Sequence, residues 1–146
     1  METTINEIQV SYTSKFLSKD PISTSTEAFR YAIKIWNMDT IDLFEEFKVL
    51  YLNKNNMVIG YYALGKGGID FCSVDVRLLL SVALTTNSTG FIIVHNHPSG
   101  KLMPSEADKK ITKQIQDCCK IMNLGLLDHL IISSSGYFSF MDECMM

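Results

Sequence analysis

The chain predicts an α/β fold in which a mixed β-sheet is flanked by helices. Short runs rich in β-branched residues are interspersed with segments of helical periodicity, and the two do not alternate as strict βαβ units would. Of the 146 residues, 47% are hydrophobic and 20% charged, the balance of a soluble globular protein. That length suits one domain with a substantial core better than two.

Residues 1–24 carry the weakest pattern. Ile8, Val10 and Tyr12 alternate with Glu7, Gln9 and Ser11, which fits a half-buried strand or, equally, a partner-binding arm. Thr24-x-x-Glu27 matches a capping box and opens a helix to about Asn37, with Ala28, Phe29, Ala32, Ile33 and Trp36 on one face. Trp36 is read as core. Phe44–Leu52 and Met57–Leu64 flank the polar turn Asn53-Lys54-Asn55-Asn56, which predicts a hairpin. Gly65, Gly67 and Gly68 loosen the chain, and Ser73 is placed to cap a helix with Val76, Leu79, Leu80, Ala83 and Leu84 inward. A buried strand from Phe91 to Val94 runs into His95. The longest helix spans Ser105 to about Asn123, with Ala107, Ile111, Ile115, Cys118 and Met122 inward and Gly125 as its stop. Leu126–Ser133 and Tyr137–Phe140 form a second hairpin around Ser134-Ser135-Gly136.

Composition narrows the partners. The net charge is −3 and no basic run exceeds Lys109-Lys110, so phosphate neutralisation offers no argument for nucleic acid. No apolar run approaches a membrane span, and the start lacks a basic region followed by an apolar one. A cytoplasmic location is the expectation. Cys72, Cys118, Cys119 and Cys144 form no C-x-x-C pair and are read as reduced thiols. An exposed N-terminal strand invites edge pairing between subunits, so a homodimer is a state to test.

Chemistry concentrates in G-F-I-I-V-H-N-H-P-S-G-K-L-M-P-S-E-A-D, Gly90 to Asp108. Strand side chains repeat every two residues, so His95 and His97 point to one side with Cα atoms roughly 6.6 Å apart. Ser105-x-x-Asp108 opens a helix and offers a carboxylate. His-x-His-x10-Asp is thus a three-ligand set for Zn2+ with a fourth position left to water. The structural alternative is a serine cap with an aspartate favoured by the helix dipole, preceded by two polar residues at a strand end.

The spacing His-x-His-x7-Ser-x2-Asp resembles the metal motif of the JAB/MPN (JAMM) metalloprotease fold. H-N-H-P-S-G and P-S-E-A-D resemble in particular its RadC-like branch, and the resemblance runs from about Leu43 to Met141 through F-E-E-F-K-V-L-Y-L-N, L-L-D-H-L-I-I-S and Y-F-S-F. It implies a three-layer, cytidine-deaminase-like sandwich. Residues 43–146 would form the metal-binding domain, with residues 1–42 adding a strand and helix packed on its core. It also implies zinc on His95, His97 and Asp108, with Ser105 stabilising the oxyanion of a tetrahedral intermediate. Glu45 and Glu46 point to opposite faces of a strand. The family's metal-site glutamate precedes an aromatic or aliphatic position by two, matching Glu45-x-Phe47, so Glu45 is the expected general base and later acid.

The implied reaction is hydrolysis of a peptide, isopeptide or other amide bond. Asn96 stands where many JAMM proteases have Ser or Thr, which favours the RadC-like branch. Arg77 lies between Val76 and Leu78 where the family usually has Pro-Arg-Glu, and is read as a surface or structural residue. Full-length RadC-like proteins carry a helix-hairpin-helix DNA-binding region for which residues 1–42 are too short, so the family's DNA-repair label has little support in this chain. A catalytic-domain-only form, of the kind found on mobile elements, is expected. The competing reading is a non-catalytic, metal-stabilised module acting in DNA repair or a mobile-element complex. Asp128 and His129 are read as a satisfied buried polar pair, with a role behind a ligand as the alternative. Specificity is expected from Gly65–Ser73 and Lys101–Met103.

Overall fold

The computed structural model describes residues 4–67 and 73–146. Its elements are α1 (Ser25–Ile35), β1 (Glu46–Leu52), β2 (Val58–Lys66), α2 (Val76–Thr85), β3 (Gly90–Asn96), α3 (Glu106–Met122), β4 (Gly125–Ser133) and β5 (Gly136–Ser139). The five strands form one sheet in the order β2-β1-β3-β4-β5. Only the β3–β4 pair is parallel, and α3 supplies the crossover that a parallel pair needs. Both expected hairpins are present.

Strand alternation divides the core into two. Leu50, Leu52, Ile92, Val94, Leu130 and Ile132 pack with Ala28, Ala32 and Trp36 of the α1 layer. Phe47, Val49, Tyr51, Phe91 and Ile93 pack on the other face against α2 and α3. The result is the three-layer α/β/α sandwich. β3 is central and buried along its whole length, which explains why Phe91–Val94 reads as an unbroken apolar run.

Four expectations change. Residues 8–12 form no strand, and Ile8 and Val10 are 87% and 72% exposed. The alternation supplies an apolar face, but no layer among the described residues receives it. The segment is hydrogen-bonded to the sheet at Ser18, whose N–H donates to the Val58 carbonyl at 3.0 Å and whose hydroxyl accepts the Val58 N–H at 2.8 Å. Asp75, not Ser73, caps α2, its carboxylate accepting the Leu78 N–H. The buried face of α3 is Asp108, Thr112, Ile115 and Cys119, with Ala107 and Met122 exposed. Apolar residues alone located that face one position off, because two of its four buried side chains are polar. Finally α3 ends at Asn123 in the left-handed conformation (φ 54°), while Gly125 begins β4.

Two buried polar residues on the α1 face set the entry to β1. The Lys48 ammonium lies 2.8 Å from the Ile35 carbonyl, 3.0 Å from the Glu46 carboxylate and 4.4 Å from the centre of the Trp36 ring. These contacts compensate its burial. Asn96 is fully buried. Its Oδ1 accepts the Glu46 N–H at 2.7 Å, and its Nδ2 donates to the carbonyls of Ile41 (2.7 Å) and Phe44 (2.9 Å). Both amide hydrogens and the oxygen are used, and the segment carrying Glu45 is tied to the end of β3.

Asn96→Ala removes the partner of one backbone N–H and two carbonyls, the Ile41 carbonyl buried and the others part-buried. Denaturant unfolding of this variant is expected to show a loss of about 3 kcal/mol; an unchanged midpoint would show that the clamp contributes nothing.

Candidate metal centre

The site forms where β3 leaves the sheet. His95 is the last-but-one residue of β3, pointing to the α2/α3 face, and His97 follows one step beyond the strand. The His97 N–H still donates to the Ile132 carbonyl of β4 at 3.0 Å, so the alternation persists and both rings reach the same side. Their centroids are 4.8 Å apart, with Nε2 to Nε2 at 3.0 Å. Asp108 arrives from the first turn of α3, its Oδ1 3.2 Å from His95 Nε2 and its Oδ2 3.3 Å from His97 Nε2. Glu45, just before β1, completes the group, and one ligand atom from each of the four residues lies within 4.8 Å of all the others. Glu46 turns the other way, onto Lys48.

Hydrogen bonding says what these atoms offer. His97 Nδ1 lies 2.6 Å from the Lys101 carbonyl. A carbonyl only accepts, so Nδ1 carries the proton and Nε2 presents a lone pair. It faces Asp108 Oδ2 and His95 Nε2 beside a cleft. Such a gathering of acceptors is repulsive until a proton or a cation enters it. Two imidazoles and two carboxylates are a set that divalent metals such as zinc accept, so the residues present fit a metal ion.

The protonation preferences follow from the same contacts. Burial works to raise the Asp108 carboxyl, but the His95 and His97 rings, which donate to it when a proton occupies their Nε2 atoms, together with the charge of a protonated His95 and the Ser105 N–H, hold it far below the usual carboxylate range. Burial works to lower His97, but Asp108, the Lys101 carbonyl and the charge of Glu45 outweigh it and leave the ring above its ordinary value. In the metal-free protein a proton therefore competes for the position a cation would take.

Ser105 caps α3 in a reciprocal pair with Asp108. The Asp108 N–H donates to Ser105 Oγ at 3.1 Å, and the Ser105 N–H donates to Asp108 Oδ2 at 2.7 Å. The cap orients the carboxylate, so the structural reading of Ser105-x-x-Asp108 leaves Asp108 in place as a possible ligand. Ser105 also lines a cleft of about 480 Å³, together with Glu45, His97, Asp108, Lys101 and Met103. Lys101 and Met103 thus stand where walls were expected; residues 68–72 of the other expected wall lie outside the described residues. Arg77 is exposed on α2.

His129 departs from its expected pairing. It is fully buried in β4, with Nε2 2.8 Å from His95 Nδ1 and Nδ1 2.6 Å from the Thr112 hydroxyl. Asp128 serves the backbone instead, its carboxylate accepting from the His129 and Met141 N–H groups and from the Ser139 hydroxyl. The strand sends the two side chains to opposite faces, and that separates them. Thr112 carried a readable signal, since it stands four residues after Asp108 on the same helical face. His129 carried one too: a histidine in an apolar strand, on the face opposite Leu130 and Ile132.

Among the described residues, no helix is long and apolar enough to cross a membrane. A family model described as RadC-like JAB domain matches residues 22–145. A UPF0758 protein of Flavobacterium johnsoniae is 52% identical over 99 residues, covering 68% of this chain and 43% of its own length. UPF0758 proteins of Porphyromonas gingivalis and Streptococcus sanguinis are 42% and 38% identical, covering 68% and 64% of this chain and 44% and 41% of their own lengths. The chain therefore spans less than half the length of these relatives. The family match, from Ile22 onward, takes in α1, the sheet and every residue of the candidate centre: the chain belongs to the RadC-like JAB domain family.

Proposed function

We propose that the protein is a zinc-dependent hydrolase that cleaves a peptide, isopeptide or other amide bond. The observation that carries this reading is the convergence of Glu45, His95, His97 and Asp108 at one end of an open cleft. His95, His97 and Asp108 would hold the ion. A bound zinc supplies Lewis acidity, polarising a carbonyl oxygen and bringing the pKa of a coordinated water to about 7.

The chain's own residues account for the remaining roles. Glu45 lies beside the imidazoles and accepts a proton from the attacking water, then returns it to the leaving nitrogen, as one carboxylate can when it is within hydrogen-bond reach of both. The Ser105 hydroxyl oxygen accepts from the Asp108 N–H, so its own proton remains to donate to the oxygen of the tetrahedral intermediate. Lys101 and Met103 border the cleft and would bind substrate flanking the scissile bond. A peptide or protein substrate suits this chemistry, and the net charge of −3 argues for no polyanion.

Elemental analysis of protein purified without added metal or a histidine tag is expected to find about one zinc per chain, and none in the His95→Ala, His97→Ala double variant. Metal absent from the wild type after dialysis against zinc would sink the reading. Glu45→Gln is expected to keep the metal and lose turnover on a cleaved peptide or isopeptide by about 100- to 10,000-fold, the scale of general acid–base catalysis; full activity would exclude Glu45 as the base. Because His97 sits above its ordinary value in the metal-free protein, zinc uptake near neutral pH releases a proton. Apparent affinity should therefore rise with pH through the imidazole range, and the calorimetric enthalpy should vary with the ionisation enthalpy of the buffer. Equal enthalpies in phosphate and Tris at pH 6.5 would contradict this.

A further inference from the structure

Behind the metal-facing atoms, a buried chain of hydrogen bonds links one candidate ligand to another. Thr112 Oγ1 lies 2.6 Å from the Asp108 backbone carbonyl. Two oxygens this close need a hydrogen between them, and the carbonyl has none, so the hydroxyl is the donor. Its single proton is thereby committed, and towards His129 Nδ1, also at 2.6 Å, the hydroxyl oxygen is left to accept. His129 Nδ1 therefore carries a proton. The ring is completely buried, is stacked on Phe140 with centroids 4.4 Å apart and, among the described residues, has no carboxylate hydrogen-bonded to it, so it is neutral and its Nε2 holds a lone pair. That nitrogen lies 2.8 Å from His95 Nδ1 and accepts its proton. What remains on His95 is an Nε2 lone pair directed at Asp108 and His97.

We propose that Thr112 and His129 are positioning residues that set the tautomer of His95, holding its proton on Nδ1 so that Nε2 is available to a metal ion. Thr112 begins the chain and His129 transmits it. The chain starts from the main chain of Asp108 and ends on His95, so α3 and β3 are brought into register by the same bonds that orient the imidazole. The inference rests on the metal-centre reading above, but the direction of the chain can be measured without metal. A merely space-filling role for His129 would leave its tautomer unspecified.

The test is long-range 1H–15N NMR of the full chain with 15N-labelled histidine, in the metal-free protein, beside cobalt(II) titration against a competing chelator. His129 is expected as the neutral Nδ1–H tautomer. Thr112→Val keeps the shape of the side chain and removes the acceptor. It should turn His129 to Nε2–H, push the His95 proton onto Nε2, and weaken cobalt(II) binding by about 10- to 100-fold, the usual cost of losing a group that orients a ligand. Thr112→Ser should restore both tautomer and affinity. His129 found as Nε2–H in the wild type, or Thr112→Val binding cobalt(II) as the wild type does, would overturn the proposal. If Thr112→Val does not fold, the wild-type tautomer decides alone. A wild type that takes up no cobalt(II) yet shows His129 as Nδ1–H would overturn the metal reading and leave the direction of the chain established.

Discussion

The last residues of β3 act on both faces of the sheet at once, and the site depends on that alternation. His95 and His97 turn toward α3, where Asp108 meets them, while Asn96 between them turns toward α1 and grips the backbone of Ile41, Phe44 and Glu46. One tripeptide thereby offers two nitrogens and also places the segment that carries Glu45, the fourth residue of the group. Slipping β3 by one residue would exchange the faces and dismantle both functions together. Pairing with β1 on one side and β4 on the other prevents that slip.

The polar groups brought to this point would be costly to bury without partners, and the surrounding bonds show how the cost is met. Among the described residues no buried side-chain nitrogen or oxygen lacks a hydrogen-bond partner. Asp108 is held by the Ser105 N–H, Lys48 by a carbonyl and a carboxylate, and Asp128 by two backbone N–H groups and a hydroxyl. Burial still raises the Asp128 carboxyl, because its partners are neutral. Asp108 moves the opposite way, because two imidazoles face it. The same residue type, buried in two places in one domain, thus satisfies the backbone in one and joins the candidate metal group in the other.

The cleft has one wall on the Lys101–Met103 segment and its floor at the acceptor cluster. The candidate group thus borders an open cleft. The cap on α3 shows how little separates satisfying the backbone from joining that group. A serine and an aspartate three residues apart would start a helix anywhere, and here the carboxylate that closes the cap also faces two imidazoles.

Much of this was legible without coordinates. Period-two and helical patterns located both hairpins, the three helices and the buried central strand, because side-chain burial imposes those periods directly. His95, His97 and Asp108 could be named because their spacing along one strand–loop–helix segment fixes which way they point, and Glu45 could be preferred over Glu46 once a resemblance supplied its phase. Tertiary structure alone decided what reaches the site from elsewhere. The contact of His129 with His95, the role of Asn96 as a clamp and the exposure of Ile8 and Val10 all depend on which layer stands opposite. A local pattern states that a side chain has a face, and only packing determines what meets it.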